Sequence, residues 1–298
     1  MGLFIEVILP ILSVFFAGYI LQKYKKLNVS SVSTVSIYIF MPTLVFKTFY
    51  NVDLNQHFYS IISFCIALLF LHIVLIKILR IIFRWNQENE SAFILSTAFM
   101  NAGNYGSPVV LFAFGEVAFM YAVIIMSIQS MLMNIFGVYY ASRGKSSVKQ
   151  ALQSVLKMPA TYAIILAITL KQLNIGIPEN IYSIIDFLSV VTVPLMMVVL
   201  GMQLANISLK SFEVANVATA SVIRLIISPL LALFLATLFP VSDLLKSVFI
   251  LIAAMPSAAV TTMFAVEFKT KPDLVSSITL TTTVLSVVTL SVILSILV

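Results

Sequence analysis

Charged side chains are scarce in this sequence. Asp, Glu, Lys and Arg make up 9% of 298 residues, against about 25% in a soluble domain. So few charges cannot coat a water-soluble body of this size, which excludes a soluble enzyme and a disordered chain. Cysteine is nearly absent: Cys65 stands alone inside an apolar run, so no intramolecular disulfide forms. There are two histidines, no HExxH, no GxSxG, no Cys/His cluster and no intramembrane pair of aspartates. Metalloprotease, hydrolase and aspartyl chemistry therefore lack their residues, and no metal site or cofactor is expected.

What is present is apolar. Hydrophobic residues are 61% of the chain and the mean hydropathy is +1.12. The chain reads as an all-α integral membrane protein. Apolar runs bounded by charge, Pro, Gly or Asn fall near 2–21, 31–48, 57–82, 91–114, 117–140, 155–173, 180–205, 214–239, 244–267 and 273–297. Ten spans of about 20 residues leave short loops and no soluble domain. A β-barrel would alternate over about 10 residues. The first run carries Glu6 and no basic leader, which fits a first span better than a cleaved signal peptide.

Lysine and arginine set the orientation. Loops after odd spans hold Lys23, Lys25, Lys26, Lys77, Arg80, Arg84, Arg143, Lys145, Lys149, Lys157, Lys210, Lys269 and Lys271. Loops after even spans hold Lys47, Lys171 and Lys246. The basic side is cytoplasmic, so both termini lie outside and the expected location is the plasma (inner) membrane. The net charge of +6 fits contact with anionic membrane lipid rather than nucleic acid.

The chain also repeats. Pro10 and Pro159 are 149 residues apart, Pro42 and Pro194 152, Pro108 and Pro256 148. Two five-span halves, 1–142 and 158–298, joined by a basic cytoplasmic linker 143–157, form an inverted repeat. Span four carries Asn101, Gly103, Asn104, Gly106, Ser107 and Pro108 at mid-membrane depth. This predicts one half-helix ending near Gly103 and a second starting at Ser107-Pro108. Pro256 predicts a matching break in span nine. Inversion makes the two broken helices cross, converging unpaired N–H groups that attract an anion, typically a carboxylate.

The span-four motif, Met41-Pro42, Val193-Pro194-Leu195 with Gly201, Met255-Pro256-Ser257-Ala258, and Arg224 with Pro229 together resemble the auxin efflux carrier family. They are most similar to its bacterial malate-permease-like branch, within the bile/arsenite/riboflavin transporter superfamily. The resemblance spans essentially the whole chain. It implies a scaffold of spans one, two, six and seven and a transport domain of spans three to five and eight to ten. It also implies carboxylate cargo, elevator-like alternating access and a homodimer. By motif match the substrate-binding residues are Asn101, Gly103, Asn104, Ser107, Pro108, Pro256 and Ser257. Relatives often carry Asn soon after the span-nine proline. Here Ala259-Val260-Thr261 stands there, so either Thr261 is the substitute donor or the site prefers another anion.

Other polar residues in the spans are further candidates. Arg224 is either a counter-ion or a group held by backbone carbonyls. Asp186 either couples or snorkels outward, and Glu267 either binds a cation or proton or caps a solvated helix end. His72 either titrates or packs. Gln129 and Asn134 either line the site or bridge helices, and the Thr/Ser run of span ten packs helices or, with span five, holds a cation. The expected activity is secondary transport of a small organic anion such as malate, uncoupled or coupled to H+ or Na+. A sodium-coupled carrier of a bile-acid-like anion, and an anion channel or membrane sensor on the same fold, are the alternatives.

Overall fold

The computed structural model describes residues 4–52, 56–142, 153, 155–207 and 213–298. The linker cations Arg143, Lys145 and Lys149, and Lys210, fall outside these residues. Eleven helices are distinguished here. They are α1 (Ile5–Lys25), α2 (Val29–Asn51), α3 (Gln56–Phe83), α4 (Gln87–Thr97), α5 (Ala102–Ala141) and α6 (Pro159–Gln172). They continue with α7 (Glu179–Asn206), α8 (Val214–Leu238), α9 (Asp243–Ala253), α10 (Val260–Glu267) and α11 (Pro272–Leu297). No regular strand occurs among the described residues.

Seven of these helices are long and apolar enough to cross a bilayer. Runs 91–114 and 244–267 are each interrupted by non-helical backbone, as the breaks expected in spans four and nine require. The ten-span expectation differs at two places, and the first is 155–173, which yields a helix of 14 residues. The loop expected between spans four and five is a bend at Gly115 inside α5, with φ +80°. A side chain there would be strained by φ alone, since nothing crowds the position.

Proline shapes the helices in a regular way. Wide π-type turns at Phe4–Ile8, Ser36–Phe40, Ala102–Gly106 and Ile223–Ile227 each end two residues before Pro10, Pro42, Pro108 and Pro229. Proline brings no N–H and its ring crowds the carbonyl four residues back. Widening the preceding turn removes that clash and keeps the neighbouring groups bonded.

The helix faces sort for lipid. On α11, Val284, Val288, Val292 and Ile296 recur every fourth residue and are exposed, while Thr279, Thr282 and Ser286 are buried. That inside-out stripe suits hydrocarbon surroundings. Helix α7 packs on α1 and α2, and α2 on α6. Helix α3 packs on α4, α5 and α8, α9 on α5 and α8, and α11 on α4, α8 and α10, while α5 also packs on α2 and α7.

The α1–α7 contact is backbone to backbone. A Cβ at Gly201 would sit 1.9 Å from the Phe15 carbonyl oxygen, and one at Gly18 2.3 Å from that of Val198. Small residues are what permit such close approach. Toward the opposite end of α7, Lys47 and Asp186 form an ion pair at 2.5 Å between α2 and α7, which is where the structure places the span-seven carboxylate. At the other end of the molecule Lys271 meets Glu213 at 3.2 Å, joining the start of α11 to the start of α8. Partial burial raises the Glu213 carboxyl, but Asn216 and Lys271 outweigh it and hold it below its ordinary value.

Two outcomes follow. Gly201→Leu forces backbone apart, costing at or above the ~1–3 kcal/mol of ordinary overpacking; thermal unfolding of purified protein reads it, and an unchanged midpoint contradicts the close contact. Because Glu213 titrates below its unfolded value, its tie is intact above the ordinary carboxylate range and is lost as pH falls through the lowered value. Protection of the 214–217 amides, taken relative to intrinsic exchange, which itself slows in acid, therefore falls on acidification, and in Glu213→Gln it is already reduced at neutral pH.

Candidate functional site

Backbone in a bilayer must find its hydrogen bonds within the protein. The two interrupted helices do this for each other. After α4 ends at Thr97 and α9 at Ala253, the stretches 98–101 and 254–259 run antiparallel. Asn101 N–H donates to the Pro256 carbonyl at 2.9 Å, and Ala258 N–H donates to the Phe99 carbonyl at 3.0 Å. Met100 and Ser257 face one another between these bonds. Pro256 has no N–H to place, yet its carbonyl is used.

This corrects the first expected boundary. The chain leaves helix at Thr97, not Gly103, and is helical again from Ala102. Ser107 is no N-cap: it lies in helical conformation and its hydroxyl donates to the Ala102 carbonyl at 2.9 Å. The cause is Pro108, whose wide preceding turn absorbs Ala102 to Gly106 into a helical path.

Arg224 fixes both breaks from behind. Its side chain is fully buried and donates to the Thr97 carbonyl, the Ala253 carbonyl and the Ser228 hydroxyl. Ser228 in turn donates to the Ala253 carbonyl at 2.8 Å. Thr97 and Ala253 are the last residues of α4 and α9. One guanidinium thus meets the negative ends of two helix dipoles and satisfies carbonyls that the breaks leave without intrahelical partners. Of the two readings of Arg224, the geometry realises the one with backbone carbonyls. His72 is buried close by; its Nδ1 lies 2.8 Å from the Leu68 carbonyl and its Nε2 has no partner.

On the other side of the breaks lies a cavity of about 260 Å³, just under the low end of ligand pockets at about 300–1,000 Å³. Asn101, Gly103 and Asn104 line it from the first break, with Gln129, Ser130 and Asn134 from α5. Ser33, Ser36 and Gln203 face them from α2 and α7, and Ala258, Ala259 and Val260 close the second break. Its wall carries no ionisable side chain among the described residues. Asn101 Nδ2, both amide atoms of Gln129 and Gln203 Oε1 are buried without a hydrogen bond of normal geometry. The weak thiol of Cys65 is the polar neighbour of Gln129. A Cβ at Gly103 would come within 3.0 Å of the Met196 methyl and 3.1 Å of the Met126 sulfur, so a side chain there would require both methionines to shift. A wider vestibule of about 630 Å³ shares Ser33, Gln203 and Ala259 with this cavity.

The motif residues therefore divide. Asn101, Gly103, Asn104 and Gln129 meet at the cavity. Ser107, Pro108, Pro256, Ser257 and Thr261 do not line it. Ser257 is buried, with its hydroxyl donating to the Ser96 carbonyl and its N–H to Thr282 Oγ1 at 3.3 Å. The Thr261 hydroxyl turns back to the Ala258 carbonyl at 2.7 Å. Glu267 borders the vestibule, while Asp186 is tied to Lys47 away from the cavity. Asn134 both lines the cavity and donates to the Ser130 carbonyl at 2.8 Å. Gln203 escaped the sequence reading. It lies near the end of an apolar run, where an amide looks like a solvated helix end, and its spacing of two from Gly201 was the available signal.

Removing Arg224 strands carbonyls at both breaks, and each hydrogen bond to a charged group contributes about 1.5–3 kcal/mol. Arg224→Ala is expected to cost several kcal/mol and yield little monodisperse protein. Arg224→Lys, keeping a cation with fewer donors, recovers part of it. Equal melting of Arg224→Ala and wild type would contradict the clamp.

Known proteins agree with a membrane carrier. A family model described as membrane transport protein matches residues 3–294. An uncharacterized transporter of Methanocaldococcus jannaschii is 31% identical over 291 residues, covering 93% of this chain and 94% of that protein. Another from Methanothermobacter thermautotrophicus is 28% identical over 304 residues, covering 96% and 95%. With a match of this extent, two interrupted helices paired at their breaks and a cavity beside that pairing, the chain belongs to the membrane transport protein family of auxin efflux carriers, and it is a multi-pass membrane transporter rather than an enzyme.

Proposed function

We propose that the protein is a secondary carrier of a small organic anion, a carboxylate such as malate, held where the two breaks pair. The observation that carries this reading is the set of unpartnered amides on Asn101, Gln129 and Gln203 around a cavity beside the two interrupted helices. The helices resuming at Ala102 and Val260 start there, so each turns the positive end of its dipole toward the cargo.

The chain then makes ten passes as two inverted repeats, with α4 and the first part of α5 as the fourth pass and α9 with α10 as the ninth. The matched prolines and the antiparallel pairing of the breaks support this. The helices α1, α2, α6 and α7 act as scaffold and the others as the moving unit. The cavity wall drawn from both groups supports a mechanism in which one group slides on the other. The vestibule borders residues 29–30, 206–207, 266–267 and 272–276, beside the connections that the Lys/Arg count assigns to the cytoplasm, so this conformation is open inward.

Reconstituted in liposomes, the protein is expected to take up labelled malate saturably, with counterflow. Asn104→Ala lowers the rate at least about tenfold, the loss of roughly 1.4 kcal/mol of binding, without loss of folded protein. Full activity in that variant overturns the site. Uptake that needs a sodium gradient, or one that needs a proton gradient, identifies the coupling ion.

A further inference from the structure

The central cavity has a hydrogen-bonding character that goes beyond attraction for anions. Two of its unpartnered atoms are donors, Asn101 Nδ2 and Gln129 Nε2, and two are acceptors, Gln129 Oε1 and Gln203 Oε1. Asn101 and Gln129 are 6% and 5% exposed, so bulk water does not satisfy them. For Gln129 both amide atoms lack a partner, so the count of one donor group and one acceptor survives a flip of the amide. Each such buried group left unpaired costs about 1–3 kcal/mol. A cargo offering acceptors alone would leave the two oxygens facing its own lone pairs.

The charge available is also limited. No Lys, Arg or His stands among the described lining residues. The buried cation nearby, Arg224, has both terminal nitrogens bonded to Thr97, Ala253 and Ser228 and lines no part of the cavity. What remains are two helix starts, each worth about half a positive charge. Together they balance about one negative charge. A second charge would enter without a counter-charge, and burying an unpaired ion is far more costly than burying a neutral hydroxyl.

We infer that this cavity selects a singly charged carboxylate that also carries a hydrogen-bond donor, such as a hydroxy-monocarboxylate, over a dianion and over a plain monocarboxylate. The inference rests on the carboxylate-carrier reading and narrows it. The carboxylate meets Asn101 Nδ2, Gln129 Nε2 and the helix starts. The hydroxyl donates to Gln129 Oε1 or Gln203 Oε1. A dicarboxylate fits this site as its hydrogen-monoanion, with the protonated carboxyl acting as the donor.

The test uses the intact protein in liposomes at a pH well above the carboxyl range of about 3–5, so that malate is a dianion. Labelled 2-hydroxypropanoate, propanoate and malate are compared in counterflow. The expected result is 2-hydroxypropanoate at least tenfold above both others in rate at low concentration. Lowering the pH toward the carboxyl range raises malate transport. In Gln129→Met the ratio of 2-hydroxypropanoate to propanoate falls toward one, and Gln203→Met lowers the same ratio; both variants are checked for monodispersity. Malate dianion faster than 2-hydroxypropanoate, or a ratio unmoved in both folded variants, overturns the inference while leaving a carboxylate carrier. Transport of none of the three overturns the carrier reading and the inference with it.

Discussion

The guanidinium of Arg224 joins three elements that would otherwise fall apart. Two helices stop in the middle of an apolar body, and each stop exposes carbonyls that hydrocarbon cannot solvate. A single buried cation between the ends of α4 and α9 answers both. It needs no carboxylate partner, because the two dipole ends supply the negative potential. Ser228, one turn on, completes the contact. The breaks themselves follow, since their remaining backbone groups pair with one another.

That arrangement separates two roles within one short stretch of chain. Residues behind the breaks, Ser96, Thr97, Ser257 and Thr282, bind each other and Arg224. Residues in front, Asn101, Gly103 and Asn104, are left for the cavity. The breaks are thus held from the charged side and face the cavity from the neutral side. The cation that holds them lines no part of the cavity.

Much was legible in the residues. Pro256 and the Asn/Gly cluster announced the interruptions, because few side chains break a helix so strongly. Asn101, Asn104 and Gln129, polar amides in long apolar runs with few other reasons to be there, line the cavity. Ser107, Ser257 and Thr261 lie outside its wall for a physical reason. A hydroxyl has the option of bonding a local carbonyl, and sequence does not reveal which way it turns. Gln203 lay close enough to a helix end to look solvated, and only its packing across from Asn101 brings it to the site.

By itself the sequence determined the solvent, the helical class and the polar equipment. Its 9% charge and long apolar runs leave no other medium than lipid, where backbone forms helices or closed barrels, and runs twice the length of a barrel strand leave helices. It also marked where helices would fail, because proline and glycine act locally. What required the tertiary structure was every pairing across the chain: Asn101 with Pro256, Arg224 with Thr97 and Ala253, Gly201 with Phe15. Those contacts join residues up to 186 positions apart. Their geometry depends on how the helices cross, which no local rule in the chain specifies.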